Sequence, residues 1–207
     1  MSDMNHTVGI LAYGSLIGDP GEEIVDATIH TVANVLTPFS IEFARQSGKT
    51  RGGAPTLVPV PDGGSTVQGQ VFVVDVAEGE AANRLWRREV RKVGTGRAYV
   101  PPKEIGPNTV VVKRLENFAG VKVVLYTEIA ANIEPLTAET LATLAIESVG
   151  KAAPGQDGIS YLIAAKANGI GTALSADYEN EILRQSRCSG LEEALAKYRD
   201  MAKGGKG

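Results

Sequence analysis

Short apolar segments separated by Gly, Pro, Asn and Asp characterise the first half of the chain, and longer amphipathic segments characterise the second half. Runs rich in β-branched residues between such breaks predict β-strands. Seven runs have this character, at residues 8–12, 28–35, 39–45, 56–60, 67–76, 110–115 and 121–129. Strands in this number are enough to close a small barrel.

Helical spacing of apolar residues predicts α-helices, at residues 77–93, 137–149, 159–168 and 191–202. End signals accompany three of them, because Gly150 and Gly169 follow two helices and Ser189 precedes another. Strands followed by helices favour an α+β fold over alternating βαβ units. We therefore expect a small mixed β-barrel-like sheet with packed helices, in a single domain over residues 1–207 with flexible tails at 1–6 and 203–207.

Composition and charge narrow the choice of partners and compartment. The 207 residues are 43% hydrophobic, as in an ordinary globular protein, and 21 Lys and Arg against 24 Asp and Glu give a net charge of -3. That balance provides no attraction to nucleic acid or to an anionic membrane. The single Cys188 cannot form an intrachain disulfide. No Lys or Arg precedes Arg45, so the basic start of a secretory signal is missing, and the apolar runs are too short to span a membrane. We expect a cytoplasmic protein.

The first predicted strand leads into the sequence Tyr13-Gly14-Ser15-Leu16, which has the composition of a ligand-binding loop. Gly14 permits a tight turn and close approach to the backbone, Ser15 supplies a hydroxyl, and Tyr13 can form a wall. Successive backbone N–H groups in such a turn suit a carboxylate or a developing oxyanion. The alternative is an ordinary turn after a strand.

The helix predicted over residues 77–93 places Glu89 among apolar side chains. At about 100° per residue, the same side of the helix carries Ala82, Leu85, Trp86 and Val93. A carboxylate on such a face is partly desolvated, which suits it to take up and return a proton near neutral pH. The alternative is a structural carboxylate paired with Arg88 or Lys92 at the edge of the core.

The opposite side of that helix carries a row of arginines: Arg84, Arg87 and Arg91. Because the protein is slightly acidic overall, we expect this row to be a solvated helix face rather than a phosphate-binding surface.

Several familiar chemistries have no support in the residues present. A Ser–His or Cys–His nucleophile needs a histidine, and the chain has only His6, near its start, and His30, in a predicted strand. Ser15 lacks the G-x-S-x-G setting of a nucleophile elbow, and Cys188 has the position of a helix-end residue. No Cys/His cluster suggests zinc, and the glycines match neither a phosphate loop nor a dinucleotide fingerprint.

The segment Ala12-Tyr13-Gly14-Ser15-Leu16-Ile17 after a short N-terminal strand resembles the signature loop of the γ-glutamylcyclotransferase-like superfamily, including its ChaC-type branch. Residues 67–74, then Leu85-Trp86-Arg87-Arg88-Glu89 and later Tyr99, resemble that family's order of Gly-containing strand, helix, catalytic Glu near the helix end and downstream Tyr. The resemblance covers about residues 8–127. The helix departs from some branches by ending in Arg-Arg-Glu-Val instead of Phe-Glu-Gly.

The resemblance implies a γ-glutamylcyclotransferase-like fold and an enzyme without cofactor or metal. Its loop Tyr13 to Leu16 would hold a γ-glutamyl small molecule, chiefly through backbone N–H groups, and Glu89 would be the general acid/base. The α-amine of the substrate would attack its own γ-carbonyl, giving 5-oxoproline and releasing the attached amine. We also expect Tyr99 or Tyr126 to border the binding cavity, because a small polar ligand needs an apolar wall with a hydroxyl.

Two other functions fit the same residues. The protein could bind γ-glutamyl compounds or small carboxylates without turnover, or it could hydrolyse a small allophanate-like amide with the same carboxylate. Ring formation separates the enzyme from both alternatives.

Overall fold

A computed structural model describes residues 7–204. Contacts within the chain divide it into two compact units. Unit 1 takes in the chain up to Thr37 together with Gln68–Ala130, and unit 2 takes in Pro38–Val67 together with the chain from Ala131 onward. The expectation of a single domain stays a prediction.

The described residues form seven β-strands and seven α-helices. The strands are β1 (Val8–Ala12), β2 (Thr28–Leu36), β3 (Ile41–Gln46), β4 (Pro55–Pro59), β5 (Gln68–Val74), β6 (Val111–Phe118) and β7 (Val121–Glu128). The helices are α1 (Ser15–Gly18), α2 (Glu22–Ala27), α3 (Glu78–Glu89), α4 (Ala138–Val149), α5 (Gly158–Ala167), α6 (Ser175–Ser186) and α7 (Leu191–Gly204). A short 3-10 helix covers Lys49–Arg51. The expected α+β class is confirmed.

Unit 1 is built on a five-stranded mixed sheet with the order β2-β5-β1-β7-β6. β1 runs antiparallel to β5 and parallel to β7, with Ile10 opposite Phe72 on one side and Leu125 on the other. Among the described residues β2 and β6 are edge strands, so the sheet is open instead of closed into the expected barrel.

The central position of β1 explains its continuous apolar sequence, because a strand with two neighbours and two covered faces has no solvent side. All five of its residues are buried. One face of the sheet packs against α3, where Ala81 and Leu85 join Ile10, Phe72 and Leu125 in the core of unit 1. This packing fixes the position of α3 over the sheet.

Unit 2 combines the antiparallel pair β3–β4 with the helices α4, α5, α6 and α7. Phe43 of β3 lies edge-on to the rings of Tyr161 and Tyr178 in its core. The buried carboxylate of Glu42 accepts hydrogen bonds from its neighbour's N–H, from Leu174 N–H at 3.1 Å, and from a threonine hydroxyl. These neutral donors satisfy the carboxylate and fix the start of α6.

Helices α4 and α5 follow their predicted bounds to within one residue, and side chains cap the start of each. The Thr137 hydroxyl accepts from Thr140 N–H at the start of α4, and the Asp157 carboxylate accepts from Ser160 N–H at the start of α5. Gly169 has a φ of 70° just after α5. Such caps stabilise helix ends by about 1 kcal/mol each.

Helix α3 is shorter than predicted. It ends at Glu89, because Arg91 adopts a φ of 57° and the Lys92 N–H donates to the Arg87 carbonyl over 2.7 Å, closing a Schellman-type end. The helices α1, α2 and α6 had no counterpart among the predictions.

The predicted tails fall partly outside the described residues. Residues 1–6, which include His6, and residues 205–207 lie outside them, whereas Lys203 belongs to α7. Within residues 7–204, no helix has both the length and the apolar character needed to cross a membrane.

Candidate functional site

The loop after β1 turns sharply at Gly14, which has a φ of 61° and a ψ of -133°. A side chain strains backbone in this conformation, and glycine adopts it freely. The Tyr13 hydroxyl donates to the Thr127 carbonyl over 2.8 Å and so anchors the start of the loop to β7. Ser15 and Leu16 then open α1, where their N–H groups have no carbonyl of a preceding helical turn to bind.

The side chains of the loop divide between the core and the site. Leu16 is buried in the core of unit 1, so only its backbone is available to a ligand. Ser15 is half-buried, and its hydroxyl contacts the Arg88 guanidinium. The buried side chain of Leu16 and the guanidinium of Arg88 thus both hold the loop in place.

Glu89 is the last residue of α3 and lies one turn after the fully buried Leu85. Its side chain is 26% exposed. Ala82, on the same side of the helix, packs against the core of unit 1. Glu89 therefore stands where the apolar face of α3 meets solvent, as the helical spacing predicts.

Arg88 brings the loop and the acid together. Its Nη1 donates to Glu89 Oε1 over 3.0 Å, and its Nη2 lies 3.4 Å from Ser15 Oγ. Its Nε and Nη2 also donate to the Asp19 carbonyl over 2.9 and 2.6 Å. The proposed acid and the proposed loop hydroxyl therefore contact the same guanidinium, although 74 positions separate them in the sequence.

The pairing of Glu89 with Arg88 is the one that the structural alternative expected. Lys92, the other candidate partner, lies over the Trp86 ring, with its Nζ 5.8 Å from the ring centroid. An ion pair with Arg88 and a role in proton transfer are compatible, because the carboxylate keeps a second oxygen for a substrate. The catalytic role of Glu89 stays a prediction.

The expectation of a solvated arginine row is wrong for Arg87. Its side chain is 5% exposed, and it donates to the Glu23 carboxylate over 2.8 Å, to Glu80 over 3.0 Å and to the Arg97 carbonyl over 2.8 Å. Arg84 joins the same network through Glu80 at 3.0 Å. Arg84 and Arg87 therefore belong to an ion-pair network between α2 and α3, whereas Arg91 is exposed. Spacing along α3 places Glu80 near these arginines, but it gives no sign of Glu23, which lies on α2.

This network also perturbs one of its acids. A hydrogen bond from Asn83, with further ones from Arg84 and Arg87, lowers the pKa of Glu80 to about 2 against the opposing effect of burial. Glu80 is therefore a stability element and has no feature of a catalytic acid.

Tyr99 packs against α3. Its ring centroid is 6.2 Å from that of Trp86, its N–H donates to the Asn83 side chain over 2.7 Å, and its hydroxyl accepts from Val112 N–H over 3.1 Å. The hydroxyl keeps its own hydrogen for another acceptor. Tyr126 is half-buried on β7, where burial and the nearby Glu128 raise its pKa. Contact of either tyrosine with a ligand stays a prediction.

Two glutamines of β5, for which no role was predicted, lie beside the loop. Gln70 is opposite Ala12 in the β1–β5 pairing, and its Nε2 lies 3.5 Å from the Ile17 carbonyl. Gln68, two residues earlier on β5, has a buried side-chain oxygen without a hydrogen-bond partner. The signal for both was present in the sequence, because the two amides precede Phe72 and Val74 on the same face of a strand.

The other candidate chemistries gain nothing from the structure. His30 is exposed on β2, and Cys188 is half-buried just after α6. In the part of the chain that the structure describes, no three His, Cys, Asp or Glu side chains converge as metal ligands would.

Comparisons with known proteins find similarity only at the level of structure. No family model matches the chain, and neither does any curated protein. Among solved structures, a crystal structure of a γ-glutamyl cyclotransferase specific to glutathione from yeast is 16% identical, with a TM-score of 0.48 over 94% of this chain and 98% of that chain. A selenomethionine-labelled form of that yeast protein is 17% identical, with a TM-score of 0.48 over 93% and 96%.

Proposed function

We propose that the protein is a γ-glutamylcyclotransferase-like enzyme, which converts a γ-glutamyl small molecule to 5-oxoproline and releases the attached amine. The observation that carries the proposal is the shared guanidinium of Arg88, which holds the Ser15 hydroxyl and the Glu89 carboxylate at one place in unit 1. The loop resembles the signature loop of that family in sequence, and Glu89 ends α3, which agrees with the helix-end acid that the resemblance implies.

The reaction needs three things from the protein. The γ-glutamyl chain must be folded so that its α-amine faces its γ-carbonyl, a base must accept the amine proton, and donors must stabilise the oxyanion. In our proposal Glu89 is the base, and the backbone N–H groups of Ser15 and Leu16 are the donors. No cofactor takes part in these steps.

The bonds balance in two steps. The amine nitrogen first bonds to the γ-carbonyl carbon, and its proton passes to Glu89, leaving a tetrahedral oxyanion. The oxyanion then collapses, the original amide C–N bond breaks, and Glu89 returns its proton to the departing amine. Glu89 is therefore regenerated as a carboxylate, and one residue provides both acid and base.

A non-catalytic binding protein is the second candidate, and the Arg88–Glu89 ion pair is the observation that favours it. A carboxylate with a fixed cation at 3.0 Å can be purely structural. Such a protein would bind γ-glutamyl ligands and leave them unchanged.

The test is incubation of the full chain with a panel of γ-glutamyl dipeptides, γ-glutamyl amines and glutathione, with 5-oxoproline and the released amine read by mass spectrometry. The matched controls are α-glutamyl dipeptides and γ-glutamyl dipeptides with an acetylated amine, neither of which can close the ring by this route. We expect equimolar 5-oxoproline and amine from at least one free γ-glutamyl compound. Release of glutamate instead would indicate a small-amide hydrolase, and binding without any product would indicate the binding protein.

A further inference from the structure

Strand β5 carries polar side chains on a face that is otherwise apolar. Phe72 and Val74 belong to the core of unit 1 beneath α3, and residues two apart on a strand share a face. Gln70 and Gln68 continue that row towards the start of β5. The backbone pairing of the sheet does not require amides here, and polar groups on a core face need partners of their own.

The strand register places these amides at the Tyr13 to Leu16 loop. Gln70 is opposite Ala12, the last residue of β1, so continuing the antiparallel register would put Gln68 opposite Gly14. At Gly14 the chain instead turns away into the loop, and Gln70 Nε2 lies 3.5 Å from the carbonyl of Ile17 in α1, just after the loop. Gln68 therefore lies on β5 next to the point where the chain leaves the sheet to form the loop.

Gln68 Oε1 is buried and has no hydrogen-bond partner among the described residues. Buried polar atoms are almost always satisfied, and an exception calls for a water molecule or a ligand. An amide oxygen only accepts hydrogen bonds, so its missing partner must carry an N–H or O–H group. The N–H groups of the loop can donate to acceptor atoms of a ligand, and the Gln68 oxygen can accept from a donor group of the same ligand.

We propose that Gln68 is a specificity-determining residue whose amide oxygen accepts a hydrogen bond from the α-amino group of the substrate. This inference rests on the proposed function and deepens it by naming the side chain that recognises the free α-amine, which ring closure already requires. The α-carboxylate and γ-carbonyl of such a substrate are acceptors and suit the loop, whereas its α-amino group is the donor that Gln68 lacks.

The neutrality of Gln68 matters for the reaction. A carboxylate at this position would bind the α-ammonium more strongly but would stabilise its charged form, which has no lone pair for attack. An amide accepts from the ammonium and from the free amine alike. Gln68 therefore binds the α-amino group equally well in both protonation states and leaves it able to lose its proton to Glu89.

Binding measurements test the inference separately from turnover. L-Glutamine carries the α-amino group, and glutaramic acid is the same molecule without it. Trp86, the single tryptophan, lies one turn before the end of α3 and provides a fluorescence signal, with isothermal calorimetry as a second measurement. We expect wild type to bind L-glutamine more tightly than glutaramic acid by about 10- to 100-fold, the range for a hydrogen bond to a charged group.

The variants are Gln68→Met, which keeps the length of the side chain without its amide, and Gln68→Glu, with Gln185→Met in unit 2 as the control. Gln68→Met should lose the preference for L-glutamine, and Gln185→Met should keep it. With a turned-over γ-glutamyl substrate, Gln68→Met should raise KM about 10-fold or more with kcat little changed, while Gln68→Glu should lower both KM and kcat.

Two results would overturn the inference and leave the proposed function standing: wild type binds both compounds equally, or folded Gln68→Met keeps the preference while 5-oxoproline is still formed. Circular dichroism establishes that each variant is folded, and Gln68→Glu provides the test if Gln68→Met does not fold. Failure of wild type to form 5-oxoproline from any panel member would overturn the proposed function itself.

Discussion

Glu89→Gln separates catalysis from structure more sharply than any other single change. The Arg88 guanidinium donates to Glu89 Oε1 over 3.0 Å, and the carbonyl oxygen of glutamine can accept the same hydrogen bond. The substitution retains the shape of the side chain at position 89 and its packing one turn after Leu85. What disappears is the negative charge, and with it the ability to take a proton from the substrate amine.

The two expected effects differ greatly in size. Removal of a general acid/base lowers turnover by on the order of 10²-fold or more, which corresponds to about 2.7 kcal/mol in the barrier. The ion pair that is lost is partly solvated, with Glu89 26% and Arg88 13% exposed, so its contribution to the free energy of unfolding is about 1 kcal/mol or less. A catalytic Glu89 therefore gives a stable but inactive variant.

The assay pairs initial rates of 5-oxoproline formation with urea denaturation of the same preparation. Glu78→Gln is the matched control, because Glu78 opens the same helix and pairs with Arg114 over 2.9 Å. It should keep its activity and lose a comparable small amount of stability. Glu89→Gln turning over substrate at the wild-type rate would refute the reasoning, and so would equal losses of rate in the two variants.

Three further predictions concern the surroundings of the site. Gly14→Ala forces a side chain into a backbone with φ of 61°, so it should cost about 1–3 kcal/mol and weaken ligand binding, and an unchanged melting temperature and ligand affinity would contradict this. Arg87→Met should lower the free energy of unfolding in urea by about 1–3 kcal/mol because it removes a buried guanidinium whose hydrogen bonds join Glu23 and Glu80, whereas Arg91→Met on the exposed side should change it little. Hydrogen bonds, the largest from Asn83, lower the folded-state pKa of Glu80 to about 2, so its stabilisation is full above the ordinary pKa of 4.5 and is lost as pH falls towards 2. Urea titrations across that range should show the stability gap between wild type and Glu80→Gln closing with acid, and a gap independent of pH would contradict the assignment.

Sequence pattern succeeded for the fold where local signals agree with tertiary surroundings. β1 was found residue for residue, because a central strand needs an unbroken apolar run and a glycine marks its end. α6 was missed although its buried residues Tyr178, Ile182 and Ser186 recur every four positions. One narrow stripe of buried residues in an otherwise polar segment is a weak signal for a helix. Packing against the other helices of unit 2 supplies the rest of the stabilisation of α6.

The end of α3 shows a different reason for failure. The apolar spacing continues to Val93, so the predicted helix continues with it. Helices usually end on glycine in the left-handed conformation, whereas here Arg91 adopts that conformation with a φ of 57°. Nothing local distinguishes this arginine from the others in the row. The arginines at the end of the helix, Arg87 and Arg88, make contacts with the segment before β2.

Those contacts explain how two consecutive arginines hold the candidate site. Neighbouring helical positions point about 100° apart, so Arg87 faces α2 and Arg88 faces the loop before it. Arg87 binds Glu23 over 2.8 Å, and Arg88 binds the Asp19 carbonyl over 2.6 Å. The segment between β1 and β2 is therefore held at several points by the helix that ends in Glu89. Sequence alone could identify the loop and the acid separately, because each has a local pattern. Their distance is set by hydrogen bonds between residues about 65 to 70 positions apart, and a short polar tie of this kind leaves no periodic signal in a chain.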